Sequence, residues 1–258
     1  MSKIAKAFQN KKSLVIFITG GDPNIETTEK LIPALVESGA DLIEIGIPFS
    51  DPIAEGPVIQ AASKRALENG TTTDKLLEMV ARVRRDGSVP LLFMTYLNPI
   101  YVYGKERFLS ACRDAGIDGI IVPDMPFEEK GELSEDCARC GIDLISMVAP
   151  TSRERIARIA KEAEGFLYCV SSLGVTGMRS EISADIASVI AQAKTMTDVP
   201  CAIGFGISDA NQTREMAKIA DGVIIGSAVV KIIAEHGSDC IEPVKAFVKT
   251  LKAAIENE

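Results

Sequence analysis

The chain has 258 residues, 47% hydrophobic, 25% charged and only 5% aromatic, so it can bury a large core that aliphatic side chains must fill. A formal net charge of -8 disfavours a nucleic-acid backbone or an anionic membrane as partner, although a local basic pocket could hold a small phosphate. No apolar run approaches the roughly eighteen residues a membrane span requires, and the start Met1-Ser2-Lys3-Ile4-Ala5-Lys6 has no signal-peptide core, so a soluble cytoplasmic protein is expected.

Taken in order, the chain alternates strand and helix. A short amphipathic opening around Ile4 to Phe8 leads to a strand over Ser13 to Thr19, ended by Gly20-Gly21-Asp22-Pro23, and a helix over Ile25 to Ser38. Strand Asp41 to Gly46 is followed by helical segments around Val58 to Glu68 and Thr73 to Arg85, then strand Val89 to Tyr96 and helix Lys105 to Ala115. Strand Gly119 to Val122, helix Glu128 to Arg139, strand Asp143 to Val148 and helix Arg153 to Ala163 continue the alternation. Strand Phe166 to Val170, helix Ile182 to Ala193, strand Cys201 to Gly204, helix Ala210 to Ile219 and strand Gly222 to Ile225 complete it, with helices near Ala228 to Ala234 and over Ile241 to Asn257 as the tail.

A weak internal repeat supports the count of eight strands. A small residue closing a helix, then Asp, then an aliphatic strand recurs around Asp41, Asp118, Asp143 and Asp221. Short, nearly continuous apolar strands joined by helices are the pattern of a parallel sheet covered on both faces, and eight such units suit a closed (β/α)8 TIM barrel with extra short helices. No Pro- or Ser-rich linker divides residues 1–258, so one domain is expected.

Metal and nucleophile chemistry find little support. Cys137-Ala138-Arg139-Cys140 is a C-x-x-C that closes a helix rather than opening one, no second such motif exists, and the single histidine, His236, lies far along the chain. The six cysteines read as reduced and mostly structural, and His236 suits the C-terminal end of a helix. No Ser-His-Asp or Cys-His machinery is available.

One residue does not fit its surroundings. Glu44 sits in a strand among Leu42, Ile43, Ile45 and Ile47, and a carboxylate in an apolar interior loses several kcal/mol of hydration unless paired or protonated. Along a strand, Leu42, Glu44 and Gly46 share one face and Ile43 and Ile45 the other. If the isoleucines pack under helices, Glu44 faces the barrel axis toward the end where this fold carries its chemistry, which points to an acid/base role over a merely satisfied buried carboxyl. Ser171-Ser172-Leu173-Gly174-Val175-Thr176-Gly177, Gly204-Phe205-Gly206-Ile207-Ser208 and Ile225-Gly226-Ser227-Ala228 follow the sixth, seventh and eighth predicted strands. All three are uncharged and glycine-rich, so their amides can approach a phosphate, with the helix that opens after Ser227 directed at the same point.

The runs Thr19-Gly20-Gly21-Asp22-Pro23, Leu42 to Pro52, Gly174-Val175-Thr176-Gly177, Gly204-Phe205-Gly206-Ile207 and Gly226-Ser227-Ala228 resemble the tryptophan synthase alpha chain family, in order and spacing, across essentially the whole chain. The resemblance implies a lyase that splits indole-3-glycerol phosphate into indole and glyceraldehyde 3-phosphate without metal or organic cofactor. It also implies a beta chain as partner in an alpha2-beta2 complex, with Pro48, Asp51 and Asn98 on the contact surface. On the matching positions, Glu44 is the principal acid/base and Glu55 stands where the family usually has an aspartate accepting the indole N–H proton. Gly177, Gly206, Gly226 and Ser227 match phosphate positions, and Phe17, Tyr96, Tyr168, Thr176 and Phe205 surround the substrate. Glu55 is a departure that lengthens the acid by one methylene. Two other readings stand beside this one: an allosteric subunit with weak activity of its own, and a sugar-phosphate isomerase barrel of histidine or tryptophan biosynthesis.

Overall fold

The computed structural model describes residues 1–170, 179–204 and 206–256, and for 179–185 it describes the backbone. Helix α1 (Lys3–Ala7) precedes β1 (Ser13–Thr19) and α2 (Ile25–Glu37), and β2 (Leu42–Gly46) precedes α3 (Pro57–Glu68) and α4 (Thr73–Val83). Next come β3 (Leu91–Met94), α5 (Leu97–Tyr103), α6 (Lys105–Ala115), β4 (Gly119–Ile121) and α7 (Gly131–Cys140). Strands β5 (Asp143–Ile145) and β6 (Met147–Val148) lead to α8 (Arg153–Lys161), then β7 (Leu167–Val170), α9 (Arg179–Ala193), β8 (Cys201–Gly204) and α10 (Ala210–Ile219). The last elements are β9 (Gly222–Ile225), α11 (Ser227–His236) and α12 (Ile241–Glu256).

All strand pairings are parallel, in the order β5-β4-β3-β2-β1-β9-β8-β7-β6. The ends of that order are two halves of one stretch of chain. Sequence periodicity predicts an unbroken strand over Asp143 to Val148; instead β5 pairs with β4, β6 pairs with β7, and Ser146 separates them while its carbonyl accepts from the Tyr168 N–H at 3.0 Å. The interruption lets one tilted strand serve neighbours at different heights, and through it the sheet closes into a TIM barrel.

Strand parity divides the core. Leu14, Ile16, Ile18, Ile43 and Ile45 pack outward with Leu31 and Leu35 of α2, whereas Val15, Phe17, Leu42, Leu92, Met94, Ile121, Tyr168, Ala202 and Ile224 fill the barrel interior. Each side chain so buried contributes about 1.5–3 kcal/mol, which pins the register, since a slip by one residue would exchange the two sets.

The Asp repeat has a structural cause. Asp41 donates its N–H to the Leu14 carbonyl at 2.8 Å and its carboxylate accepts from the Leu14 N–H at 2.8 Å, so one residue ties both backbone groups at the start of the neighbouring strand. Asp118 does the same for Leu91 and Asp221 for Cys201. Asp143 departs from the pattern: its N–H goes to the Asp118 carbonyl, and Glu164 takes the Leu144 N–H at 3.4 Å.

The amphipathic opening becomes a stopper. Ser2 caps α1 by accepting from the Ala5 N–H at 3.2 Å, and Ile4 and Phe8 enter the interior cluster from the N-terminal end, with the Phe8 and Phe166 rings 5.5 Å apart. Gly119 and Gly222 open β4 and β9 there; a Cβ on either would lie 2.6 Å from Ile4 Cδ1 or Phe8 Cε1 respectively.

Helix α5 occupies the stretch between the predicted strand Val89 to Tyr96 and the predicted helix Lys105 to Ala115, to which the sequence pattern assigns no element. Pro99 lies in the first turn, where no N–H is needed, the Asp124 carboxylate accepts from the Leu97 N–H at 3.0 and 3.2 Å, and Gly104 at φ 92° separates α5 from α6. Since Ile4 is wholly buried, Ile4→Ala should lower unfolding free energy by about 2–4 kcal/mol in denaturant titrations; a loss below about 0.5 kcal/mol would mean that the stopper contributes little to the barrel.

Candidate active site

Glu44 lies at the middle of β2, level with Phe17 of β1 and Leu92 of β3, on the interior face that it shares with Leu42. It is fully buried, and neither carboxyl oxygen has a hydrogen-bond partner among the described residues. Burial alone pushes its pKa up to about 8, so the group keeps its proton at neutral pH. A carboxyl held neutral by burial is a proton donor that needs only a base to take the proton, which is how such environments tune acids for catalysis.

Two aromatic side chains line the same interior. The Phe17 ring lies against Gly46 and Gly226, whose hypothetical Cβ atoms would come 2.7 Å and 3.3 Å from it, so glycine on β2 and glycine just after β9 leave room for the ring. Tyr168 leans across Gly204 in the same way, a Cβ there meeting its hydroxyl at 2.4 Å. Its phenol is raised well above the usual range, first by burial and then by the proximity of Glu44, and it stays protonated.

Glu55 approaches from the loop between β2 and α3. The Tyr96 hydroxyl accepts from the Ala54 N–H at 3.1 Å, Gln60 Nε2 on the first turn of α3 donates to the Glu55 carbonyl at 2.8 Å, and the Phe49 ring lies 5.4 Å from that of Tyr96. The loop is thereby fixed on both sides of Glu55. Its Oε2 is buried without a partner, and burial pushes the pKa up to about 7, with the nearby Tyr96 hydroxyl pulling the other way. Burial also takes the Tyr96 phenol up to about 12, the Ala54 N–H opposing and the Glu55 and Asp124 charges assisting. Gln60 was not singled out from the sequence, although its position five residues after Glu55 on the opening helical turn is a readable cue.

Of the three glycine-rich loops, those after β8 and β9 follow the ends of adjacent parallel strands. β8 ends at Gly204 and is followed by exposed Gly206 at φ 77°; adjacent β9 ends at Ile225, Gly226 is half-buried, and α11 opens at exposed Ser227 with no side-chain cap. A helix N-terminus so left presents its first amides to an anion. Thr176, Gly177 and Phe205 lie outside the described residues, as does the run Ser171 to Gly177. Among the described residues no group of three or more His, Cys, Asp or Glu could hold a metal ion. The six cysteines are free, and His236 closes α11 as expected.

Known proteins resemble this chain along nearly its whole length. Residues 4–256 match the family described as tryptophan synthase alpha chain. The tryptophan synthase alpha chain of Halalkalibacterium halodurans is 49% identical over 247 residues, covering 95% of this chain and 93% of that one. Tryptophan synthase subunit alpha from Legionella pneumophila superposes with a TM-score of 0.91 at 38% identity, covering 100% of both chains. A chain of the Pyrococcus furiosus structure presented as the basis of mutual activation of the tryptophan synthase a2b2 complex gives 0.87 at 39% identity over 94% of this chain and 98% of that one. The chain belongs to the tryptophan synthase alpha chain family.

The buried acid carries a stability cost of definite sign. Unfolded, the Glu44 carboxyl releases its proton near 4.5; folded, it holds on to about 8, so stability falls as pH rises from about 4.5 to about 8 and is level above. Glu44→Gln removes that loss. Its stability relative to the parent chain should rise across that window by on the order of 4–5 kcal/mol in denaturant titrations at pH 5 to 9, whereas a difference independent of pH would mean an ordinary carboxyl.

Proposed function

We propose that Glu44 and Glu55 carry the proton traffic of the family's reaction. The chain is a carbon–carbon lyase, the alpha subunit of tryptophan biosynthesis, and cleaves indole-3-glycerol phosphate to indole and glyceraldehyde 3-phosphate. The observation that carries the assignment of roles is the fully buried, unpartnered Glu44 on the interior face of β2, which remains protonated at neutral pH.

The bond that breaks joins indole C3 to the carbon bearing the first side-chain hydroxyl. Protonated Glu44 donates to C3 while ionised Glu55 takes the indole N–H proton, leaving C3 tetrahedral and a C=N bond in the ring. Glu44, now a carboxylate, removes the hydroxyl proton. The alkoxide collapses to an aldehyde, the C3–C bond breaks, and its electron pair restores the ring double bond as the nitrogen recovers its proton from Glu55. Both acids end as they began, so no external oxidant, reductant or base is consumed. Phe17, Tyr96 and Tyr168 bound the indole, and Gly206, Gly226 and Ser227 hold phosphate together with Gly177; Thr176 and Phe205 complete the substrate's surroundings.

The longer Glu55 retains this role in our reading because Tyr96 and Gln60 fix the backbone on either side of it and its Oε2 is already withdrawn from water. For the partner, we read a beta chain in an alpha2-beta2 complex seated over Pro48, Asp51 and Asn98. The same two segments carry exposed apolar side chains, Ile53 at 80% and Val102 at 81%. No helix among the described residues is long and apolar enough to cross a membrane, and we propose a cytoplasmic enzyme folded as one domain.

The intact complex on indole-3-glycerol phosphate provides the test. Glu44→Gln should lower kcat by at least about 10³-fold while leaving the affinity for a non-reacting phosphate analogue within about threefold; substantial turnover would remove Glu44 from the mechanism. Glu55→Asp should keep most of the activity and Glu55→Ala lose about 10²-fold or more, and an active alanine variant would end the role of Glu55. Because the starting enzyme needs Glu55 ionised and Glu44 protonated, kcat/KM should rise with pH through about 7 and fall through about 8, and Glu55→Gln should abolish the rising limb.

A further inference from the structure

Thr19 ends β1 on the interior face. Val15 and Phe17 of the same parity lie in the interior cluster, whereas Leu14, Ile16 and Ile18 lie in the outer one. Thr19 is 2% exposed, and its hydroxyl has no hydrogen-bond partner among the described residues. A buried hydroxyl left unpaired is costly, and the same methyl-bearing shape without the cost was open to the sequence as valine.

Its neighbours say what the hydroxyl is for. β1 lies between β2, which carries Glu44, and β9, which leads into Gly226 and Ser227. Phe17 is level with Glu44 and Thr19 with Gly46, so Thr19 stands two residues, about 7 Å, nearer the mouth than the acid. A substrate with its phosphate beyond β9 and its breaking bond beside Glu44 must stretch its three-carbon chain across the end of β1. That chain bears two hydroxyls. The one next to the ring is consumed in the reaction; the other takes no part and needs a partner once water is excluded.

We propose that Thr19 is a substrate-positioning residue whose hydroxyl pairs with the second, unreacting hydroxyl of the glycerol phosphate chain, setting where the breaking bond stands relative to Glu44. This rests on the reading of the site given above and adds to it a residue that selects for a hydroxylated phosphate ester. Thr19 moves no proton in the reaction; it acts through the placement of the chain.

Thr19→Val, in the full chain with its partner, keeps shape and removes the hydroxyl. It should melt no lower than the parent protein, raise KM for indole-3-glycerol phosphate about 5- to 10-fold and leave unchanged the inhibition constant of indole-3-propanol phosphate, which lacks both hydroxyls. Thr19→Ser should restore KM. Should the valine variant fail to fold, Thr19→Ala against Thr19→Ser gives the same comparison, with the loss confined to alanine. An unchanged KM overturns the proposal, and so does an equal rise in KM and in the inhibition constant, which marks general damage to the pocket. If the parent enzyme does not bind indole-3-propanol phosphate at all, the phosphate end of the site has been misread and the role of Thr19 falls with it; if it binds and only KM fails to move, Thr19 alone is wrong.

Discussion

The structure depends on the exclusion of water from the inside of a closed parallel sheet. Eight stretches of chain share one interior, and every second side chain of each is delivered into it with no choice of environment. For leucine, valine and phenylalanine that delivery is the source of stability. For Glu44 it is a penalty that the fold bears, because the same burial which weakens the barrel keeps the carboxyl neutral, as the proposed mechanism requires. Stability and reactivity are here opposite readings of a single desolvation.

Much of this was legible in the residues. The alternation of short apolar strands with amphipathic helices fixes the class of fold, and parity within Leu42 to Gly46 was enough to aim Glu44 inward, because a period of two admits only two answers and the isoleucines take the outer one. The recurring Asp marked a real joint: at Asp41, Asp118 and Asp221 one side chain and its own amide secure the start of the preceding strand, beside which the new strand is laid. What escaped was whatever depends on partners distant in sequence. The break at Ser146 arises from the heights of β4 and β7, neither of which is encoded in residues 143–148. Helix α5 depends on the Asp124 carboxylate twenty-seven residues beyond Leu97, and its proline gives a local signal of the opposite sense. Gln60 and Thr19 are ordinary residues by composition and acquire meaning only from what stands beside them.

The two acids contrast in the means by which they are held. Glu44 belongs to a strand and is located by the barrel itself. Glu55 belongs to a loop whose backbone is held by the Tyr96 phenol and the Gln60 amide, and the same phenol also lies beside its carboxyl. In our reading a side chain one methylene longer than the family's usual aspartate is accommodated there because most of the restraint acts on the backbone and leaves the side-chain torsions free to adjust. The proposed mechanism therefore joins a rigid element with a more adjustable one.

The first helix finally fixes the direction of transport. With Ile4 and Phe8 filling the far end of the cylinder against Phe166, the vessel has a floor at that end. In the proposed mechanism substrate therefore reaches Glu44 from the opposite end, onto which the loops after β8 and β9 open. On that reading a partner subunit that is to collect the apolar fragment would have to stand at the same end, so the stopper at one end sets where a partner can work at the other.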